Sequence, residues 1–462
     1  MKRFCKWMGQ VILASVIIFF QLHSYELRWD WNTLNVHSVS FPHTFLWGCA
    51  DSALQTEGVE TVDGKLVENS WTAFEKQLNI PLEKRVGKAC ERWTRYKDDY
   101  QLLKKIGMNS YRFTIEWSKI EPIEGIYDEA AMQHYVEMVD ELLRLNIIPI
   151  ITLFHHTFPV WFAKKGAFEN KQNSYHFVRF ALYVFRHLHS KINYWITMNE
   201  PIGFALEGYY RGVYPPGKKS LQTAGYVAKN LLYAHVSTYK ELKKMNPNVF
   251  IGITHIFNPL DAYYVWNPLE QAVARTFDYL VNKTVIKFFK SGTFDWAYLV
   301  RGYNEDAPQA LDFFGINYYT HTTIKQTNIL SLKPTHREDE TLLDSPHDGR
   351  VCKTLYPEGL YRSIKNCAKL RIPLFITENG TASCNAAVRD EYIKKHLYVI
   401  SRALKEGFDI RGYFFWTLMD CFCWRKGYAD KHGIYQVNFQ TQERTLRPGC
   451  EYLIQTIKQF SS

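Results

Sequence analysis

Two glutamates in this chain sit where a carboxyl is costly. Each follows directly on an apolar run: Ile196-Thr197-Met198-Asn199-Glu200-Pro201 and, 178 residues later, Phe375-Ile376-Thr377-Glu378-Asn379-Gly380. A carboxylate ending a buried run must be paired or must keep its proton. Two carboxyls facing each other across a pocket suit acetal hydrolysis. One, protonated, gives its proton to the leaving oxygen, and the other, ionised, attacks the anomeric carbon. Either Glu alone reads equally well as the structural partner of a buried arginine. The pair, each inside a longer polar motif, favours chemistry.

Such a pair needs a scaffold that brings distant segments to one mouth. Short apolar, β-rich runs recur eight times: Phe45 to Gly48, Asn109 to Ile115, Ile147 to Phe154, Tyr194 to Met198, Val249 to Ile256, Phe313 to Asn317, Leu374 to Thr377 and Gly412 to Trp416. Between them lie helical patterns. Arg95 to Ile106 places Tyr96, Tyr100, Leu103 and Ile106 on one face, and Ala131 to Leu145 does so with Tyr135, Val139, Leu142 and Leu143. Eight strands without polar alternation, each followed by a helix, predict an α/β fold: a single (β/α)8 TIM barrel with long βα loops. The stretch Thr322 to Asp348 is polar and is expected to be one such loop. Chemistry in this fold gathers at the C-terminal strand ends. There the sequence places Arg112 (second strand), His155 (third), Asn199 and Glu200 (fourth), Asn317 and Tyr319 (sixth), Glu378 (seventh) and Trp416 (eighth). Strands four and seven stand on roughly opposite sides of the ring.

The 462 residues are 46% apolar and 22% charged, which excludes a disordered or collagen-like chain. A mean hydropathy of −0.28 excludes a polytopic membrane protein. The net charge of +10 comes without a run of five like charges, so no nucleic-acid arm is expected. Thirteen Trp and 30 Tyr fit a large core, with a share left for stacking on sugar rings. The nine cysteines are scattered and odd in number, and Cys421-x-Cys423 alone is a poor zinc motif. Reduced, mostly buried thiols are expected. Lys2, Arg3 and Lys6 precede an apolar stretch from Val11 to Phe20, the pattern of an export signal. Residues 1–24 are therefore expected to be a signal peptide or an N-terminal membrane anchor, with residues 25–462 as the barrel domain. Such a protein would be secreted or extracytoplasmic, and residues 7–22 could associate it with a membrane.

The chain resembles glycoside hydrolase family 1, the β-glucosidase and β-galactosidase family of clan A barrels, from about Phe41 to the C-terminus. The resemblance rests on motifs in the family's order. They include Phe45-Leu46-Trp47-Gly48, Gln55-Thr56-Glu57-Gly58, Tyr111-Arg112-Phe113-Thr114-Ile115-Glu116-Trp117 and Thr152-Leu153-Phe154-His155. Further along come Thr197-Met198-Asn199-Glu200-Pro201, Asn317-Tyr318-Tyr319-Thr320, Ile376-Thr377-Glu378-Asn379-Gly380 and Trp416-Thr417-Leu418-Met419-Asp420. It implies a retaining exo-β-glycosidase acting on a terminal β-D-glycosyl residue, glucoside-type, of a small-molecule or oligosaccharide β-glycoside. Glu200 would be the acid/base and Glu378 the nucleophile, supported by Arg112 and Tyr319. Gln55, His155, Asn199, Trp416 and Trp424 would bind the sugar. No metal and no organic cofactor are expected; two carboxyls and water suffice.

The last motif departs from the pattern. Where the family usually reads D-N-F-E-W, this chain has Asp420-Cys421-Phe422-Cys423-Trp424. The substrate-binding Glu that grips the sugar 4- and 6-hydroxyls is thus Cys423, a weak hydrogen-bond partner. A later aromatic position is His432. Three readings follow. Arg425, Lys426 or another loop residue takes over the clamp for an altered glycone. The chain is a 6-phospho-β-glycosidase, although Asp430 and His432 stand where that branch has Lys and Tyr, and Lys431 is one position off. Or it is a non-catalytic, klotho-like binding module, although it keeps both carboxyls. A second departure, Glu91-Arg92-Trp93-Thr94, has no evident functional meaning in the sequence.

Overall fold

The computed structural model describes residues 26–60, 64–328, 331–343, 353–424 and 426–461. The expected signal or anchor segment, Cys5, Cys352 and Arg425 lie outside the described residues. Eight strands close into one parallel barrel: β1 (Leu46–Ala50), β2 (Ser110–Thr114), β3 (Ile148–Thr152), β4 (Tyr194–Asn199), β5 (Phe250–Phe257), β6 (Phe313–Tyr318), β7 (Leu374–Asn379) and β8 (Ile410–Trp416). Each strand pairs with its sequence neighbours, and β8 returns to β1 with Ala50 opposite Trp416. These are the eight runs read from the sequence, shifted by a few residues at most.

The strands lack polar alternation because both their faces are covered. Inward side chains, among them Leu46, Ile150, Ile196, Phe313, Phe375 and Phe414, form a separate cluster that fills the barrel. Small residues make room for the large ones. A Cβ on Gly252 would stand 2.6 Å from the Phe313 carbonyl oxygen and 2.7 Å from its ring, so glycine lets the Phe313 ring pack against the β5 backbone. Outward side chains pack on helices. The helix Glu129–Arg144 starts at Asp128, whose carboxylate accepts from the Ala131 amide at 2.9 Å. It buries Met132, Tyr135, Val139 and Leu142. Leu143, expected on that face, is 38% exposed, because one further residue turns the side chain about 100° away.

The connections are asymmetric. The segments after β1 (51–91), β3 (153–173), β6 (319–357) and β8 (417–450) are long, and each leaves from the C-terminal end of its strand. Part of the stretch expected as a loop is not one. Thr322–Asn328 and Ser331–Thr335 pair as an antiparallel hairpin whose first strand also joins Leu260–Ala262. The β-branched residues of Thr-Thr-Ile-Lys-Gln-Thr favour a strand, and Thr323 and Ile324, the latter at 6% exposure, are its buried anchor. The described chain begins tied down: the Trp29 amide and the Trp31 indole both donate to Glu358 Oε1, at 2.8 and 2.9 Å. The seven cysteines described are all free thiols, five of them buried, with Cys423 half-buried and Cys384 exposed. Among the described residues no helix is long and apolar enough to cross a membrane.

Candidate active site

The strand tips named from the sequence converge on one pocket. Arg112 on β2 is fully buried in the barrel mouth and reaches three other strands. Its Nη1 donates to Glu378 Oε1 at 2.7 Å and to the Thr377 carbonyl at 3.1 Å, its Nη2 to Asn199 Oδ1 at 2.6 Å, and its Nε to Thr152 Oγ1 at 3.2 Å. The Tyr319 hydroxyl donates to Glu378 Oε2 at 2.7 Å. Both oxygens of Glu378 are therefore held, one by a guanidinium.

Glu200 is held differently. It is 9% exposed, and Asn317 holds it, its amide donating to Oε1 at 2.7 Å. Its backbone adopts φ 48°, a left-handed conformation rare for a residue with a Cβ, and Pro201 starts a short helix behind it. Both carboxyl-bearing strands carry an irregularity just before the Glu. Ile196 pairs with Gly252 but Asn199 with Thr254, so β4 has one residue more than β5 there. Likewise Ile376 pairs with Ile316 but Glu378 with Asn317, so β7 has one more than β6. A bulge re-aims the side chains that follow it. Here the two bulges end two strands on opposite sides of the barrel.

These surroundings separate the two carboxyls. Burial, and then the charge of Glu378, push Glu200 up to about 8. Burial also raises Glu378, but Arg112 and Tyr319 pull it back. Glu378 is the member of the pair that ionises first, and Glu200 is the member that keeps a proton at neutral pH.

Around the pair, Asn199 Oδ1 accepts from Arg112, from Thr254 Oγ1 at 2.6 Å and from Asn317 at 3.2 Å. Its amide is thereby fixed in orientation and donates to His155 Nε2 at 3.1 Å. Burial holds His155 well below its ordinary value, so the ring is neutral, and its Nδ1 has no protein partner. His155 stacks on Trp416 at 5.6 Å and lies 6.2 Å from the Trp424 ring. Gln55 is 2% exposed and committed to scaffolding: it donates to the Phe422 carbonyl at 2.5 Å and accepts from Ser52 at 2.7 Å. Arg112, His155, Asn199, Glu200, Asn317, Tyr319, Glu378, Trp416 and Trp424 are thus brought together, with Gln55 beneath them, while Arg425 lies outside the described residues.

Sequence reasoning missed Thr254, Thr152 and His156. Thr254 was legible as the polar residue in the apolar run Ile251-Gly252-Ile253-Thr254. His156 follows His155, is 3% exposed and packs at 5.6 Å from both Phe204 and Trp424. The Glu91–Thr94 departure also gains a structural account. Arg92 is buried beneath the site, paired with Glu57 and 3.6 Å from Asp51, and Trp93 carries the Lys119 ammonium 3.7 Å from its ring. Arg92 and Lys119 together neutralise the buried carboxylates of Asp51 and Glu57. The sequence also holds two N-glycosylation acceptor patterns, Asn282-Lys283-Thr284 and Asn379-Gly380-Thr381, and both asparagines are closed off, Asn282 at 2% exposure and Asn379 fully buried.

The departing segment lines one wall. The backbone of Cys423 exchanges hydrogen bonds with Gly427 at 2.7 and 2.8 Å, which closes a tight turn. Lys426 Nζ reaches Asp430 at 3.1 Å. His432 packs edge-on against the Tyr319 ring at 6.1 Å. Burial, then Lys353 and Arg389, keep its imidazole neutral. Among the described residues, the cluster suited to a metal ion is Cys423, Asp430 and His432, whose ligand atoms lie within 4.8 Å of one another.

The sequence profile of glycosyl hydrolase family 1 matches residues 37–461. A 1,4-beta-D-glucan glucohydrolase from Thermotoga neapolitana is 30% identical over 87% of this chain and 99% of its own length. Beta-glucosidase A from Acetivibrio thermocellus is 29% identical over 91% of this chain and 98% of its own. Among solved structures, a beta-glucosidase from Thermotoga maritima in complex with deoxynojirimycin superposes with a TM-score of 0.81 at 26% identity, covering 92% of this chain and 99% of that one.

Proposed function

This chain belongs to glycosyl hydrolase family 1 and is a glycoside-hydrolysing enzyme, and we propose that it removes a terminal β-linked sugar from an aglycone with net retention. The observation that carries the reading is the unequal holding of two buried carboxyls. Glu378 has a guanidinium and a phenol on its oxygens; Glu200 has an amide and a neighbouring negative charge.

In the proposed cycle the sugar enters against Trp416, with its hydroxyls toward His155 and Asn199. Glu378, ionised, attacks the anomeric carbon, while Glu200 passes its proton to the glycosidic oxygen as that bond breaks. The aglycone leaves and the sugar stays esterified to Glu378. Glu200, now a carboxylate, takes a proton from water, which attacks the same carbon and returns Glu378 to its ionised form. Retaining pairs stand about 5 Å apart. The short link through Asn317 and the effect of the Glu378 charge on Glu200 support such closeness. The sugar class is glucoside-type, supported by the deoxynojirimycin complex of the Thermotoga maritima relative.

Lys426 bonded to Asp430 speaks against a phosphate clamp built from that loop, and two fully supported carboxyls speak against a binding-only role. Release of p-nitrophenol from β-glucoside, galactoside, fucoside, mannoside, xyloside and glucoside-6-phosphate tests the reading. Turnover of a neutral glycoside, lost in Glu378→Ala, is expected. Silence on every glycoside from the folded protein would overturn it, and turnover of the 6-phosphate alone would replace the sugar class.

A further inference from the structure

Three departures from the family pattern, Cys421, Cys423 and His432, meet at one place in the fold. The Sγ of Cys423, a carboxylate oxygen of Asp430 and a ring nitrogen of His432 lie within 4.8 Å of one another. Cys421, buried at 2% exposure, shares a side-chain hydrogen bond with Cys423. His432 is 4% exposed, and its Nδ1, like that of His155, has no hydrogen-bond partner in the protein. A buried ring with an unmatched nitrogen, beside a thiol and a carboxyl at ligand spacing, is the arrangement a metal ion would complete.

We propose that Cys423, Asp430 and His432 bind a divalent cation of the zinc class, with the Cys421 thiol hydrogen-bonded behind the Cys423 sulfur. The donor chemistry selects the ion. One sulfur, one nitrogen and one oxygen suit a borderline-soft cation and not magnesium or calcium, which take oxygen alone. The thiol of Cys423 loses its proton to solvent as the metal–sulfur bond forms. Lys426 already holds one Asp430 oxygen, at 3.1 Å, but a carboxylate has a second to offer. Three protein ligands leave a fourth tetrahedral position open. His432 in the cluster packs 6.1 Å from the Tyr319 ring, whose hydroxyl donates to Glu378, and Cys423 itself stands where the family pattern has its sugar-gripping Glu. A cation there could take a sugar hydroxyl; this last step alone rests on the glycosidase reading.

The test is a titration of the reduced, full-length chain with Co²⁺ alone, followed by absorption and without substrate. The expected result is a sulfur-to-cobalt charge-transfer band that saturates at one equivalent per chain. Cys423→Ser, nearly the same shape, should remove the band. Asp430→Asn and His432→Asn should weaken binding by about tenfold or more. Absence of the band in the unaltered chain would overturn the proposal. So would a band of equal strength and affinity in all three variants, because other thiols would then be the ligands. Matching thermal melts of the metal-free proteins show that each variant is folded, and any one folded variant decides. Because no turnover is read, failure here leaves the hydrolase reading standing, and failure of the hydrolase reading leaves this site testable.

Discussion

At the scale of single residues, the account rests on what each carboxyl touches. Glu200 and Glu378 stood out as a buried pair because each ends an apolar run, and Arg112 as the arginine of a strand motif that the family resemblance sets beside the nucleophile. Which carboxyl donates and which attacks was suggested by the family resemblance alone, and the difference in their surroundings is not encoded by either run. It comes from Asn317 and Tyr319 reaching across strands, a contact that no local spacing encodes. A stability consequence follows. Glu200 holds its proton in the fold up to about 8, well above the ordinary carboxylate value, so the folded chain binds more protons than the unfolded one between those values. Stability from this group is therefore present at low pH and falls as pH rises toward 8. Glu200→Gln should raise the melting temperature by a few degrees at pH 8, with little change at pH 5, while slowing turnover. Differential scanning fluorimetry across that range checks it; an equal gain at both pH values would show that charge burial is not the cause. The same value sets the basic limb of the activity profile, and loss of the proton from Glu200 should switch turnover off.

At the scale of elements, strands and helices were readable from periodicity, whereas bulges and loop pairing were not. The bulges in β4 and β7 depend on register against neighbouring strands, and the hairpin at Thr322–Thr335 depends on an edge offered by Leu260–Ala262. That hairpin region is locked by His321. Its Nε2 lies 2.6 Å from Glu340 and its Nδ1 3.8 Å from Asp261, which also takes Arg362, while the Tyr356 ring stacks at 3.9 Å. Arg28 stands 3.6 Å from the same Glu340. Burial opposes the charged imidazole, but the neighbouring carboxylates Asp261 and Glu340, the latter hydrogen-bonded to Nε2, outweigh it and raise the pKa above its ordinary value. A raised histidine contributes its stability in full below about 6.5 and loses it as pH climbs through the folded value. The difference in urea midpoint between the native chain and His321→Gln should thus be larger at pH 6 than at pH 9. A difference independent of pH would mean that the pocket holds a neutral ring.

At the scale of the molecule, the barrel turns sequence distance into proximity. Segments 178 residues apart face one another because β4 and β7 lie on opposite sides of a closed ring. That architecture was readable because parallel barrels bury both strand faces and so leave an unbroken apolar signature in the chain. The wall built from Cys421 to His432 was readable only as a departure, since its meaning depends on which side chains the loop folds together. The central claim is that Glu378 forms a bond to the sugar and that Glu200 is needed to break it again. The most direct test mixes Glu200→Ala with a p-nitrophenyl β-glycoside that the unaltered chain cleaves, followed by intact-mass and peptide mass spectrometry. The account predicts a burst of p-nitrophenol and a chain heavier by one glycosyl unit, placed by digestion on the peptide holding Glu378. Steady release without a burst and without an adduct, or an adduct on another residue, would contradict it.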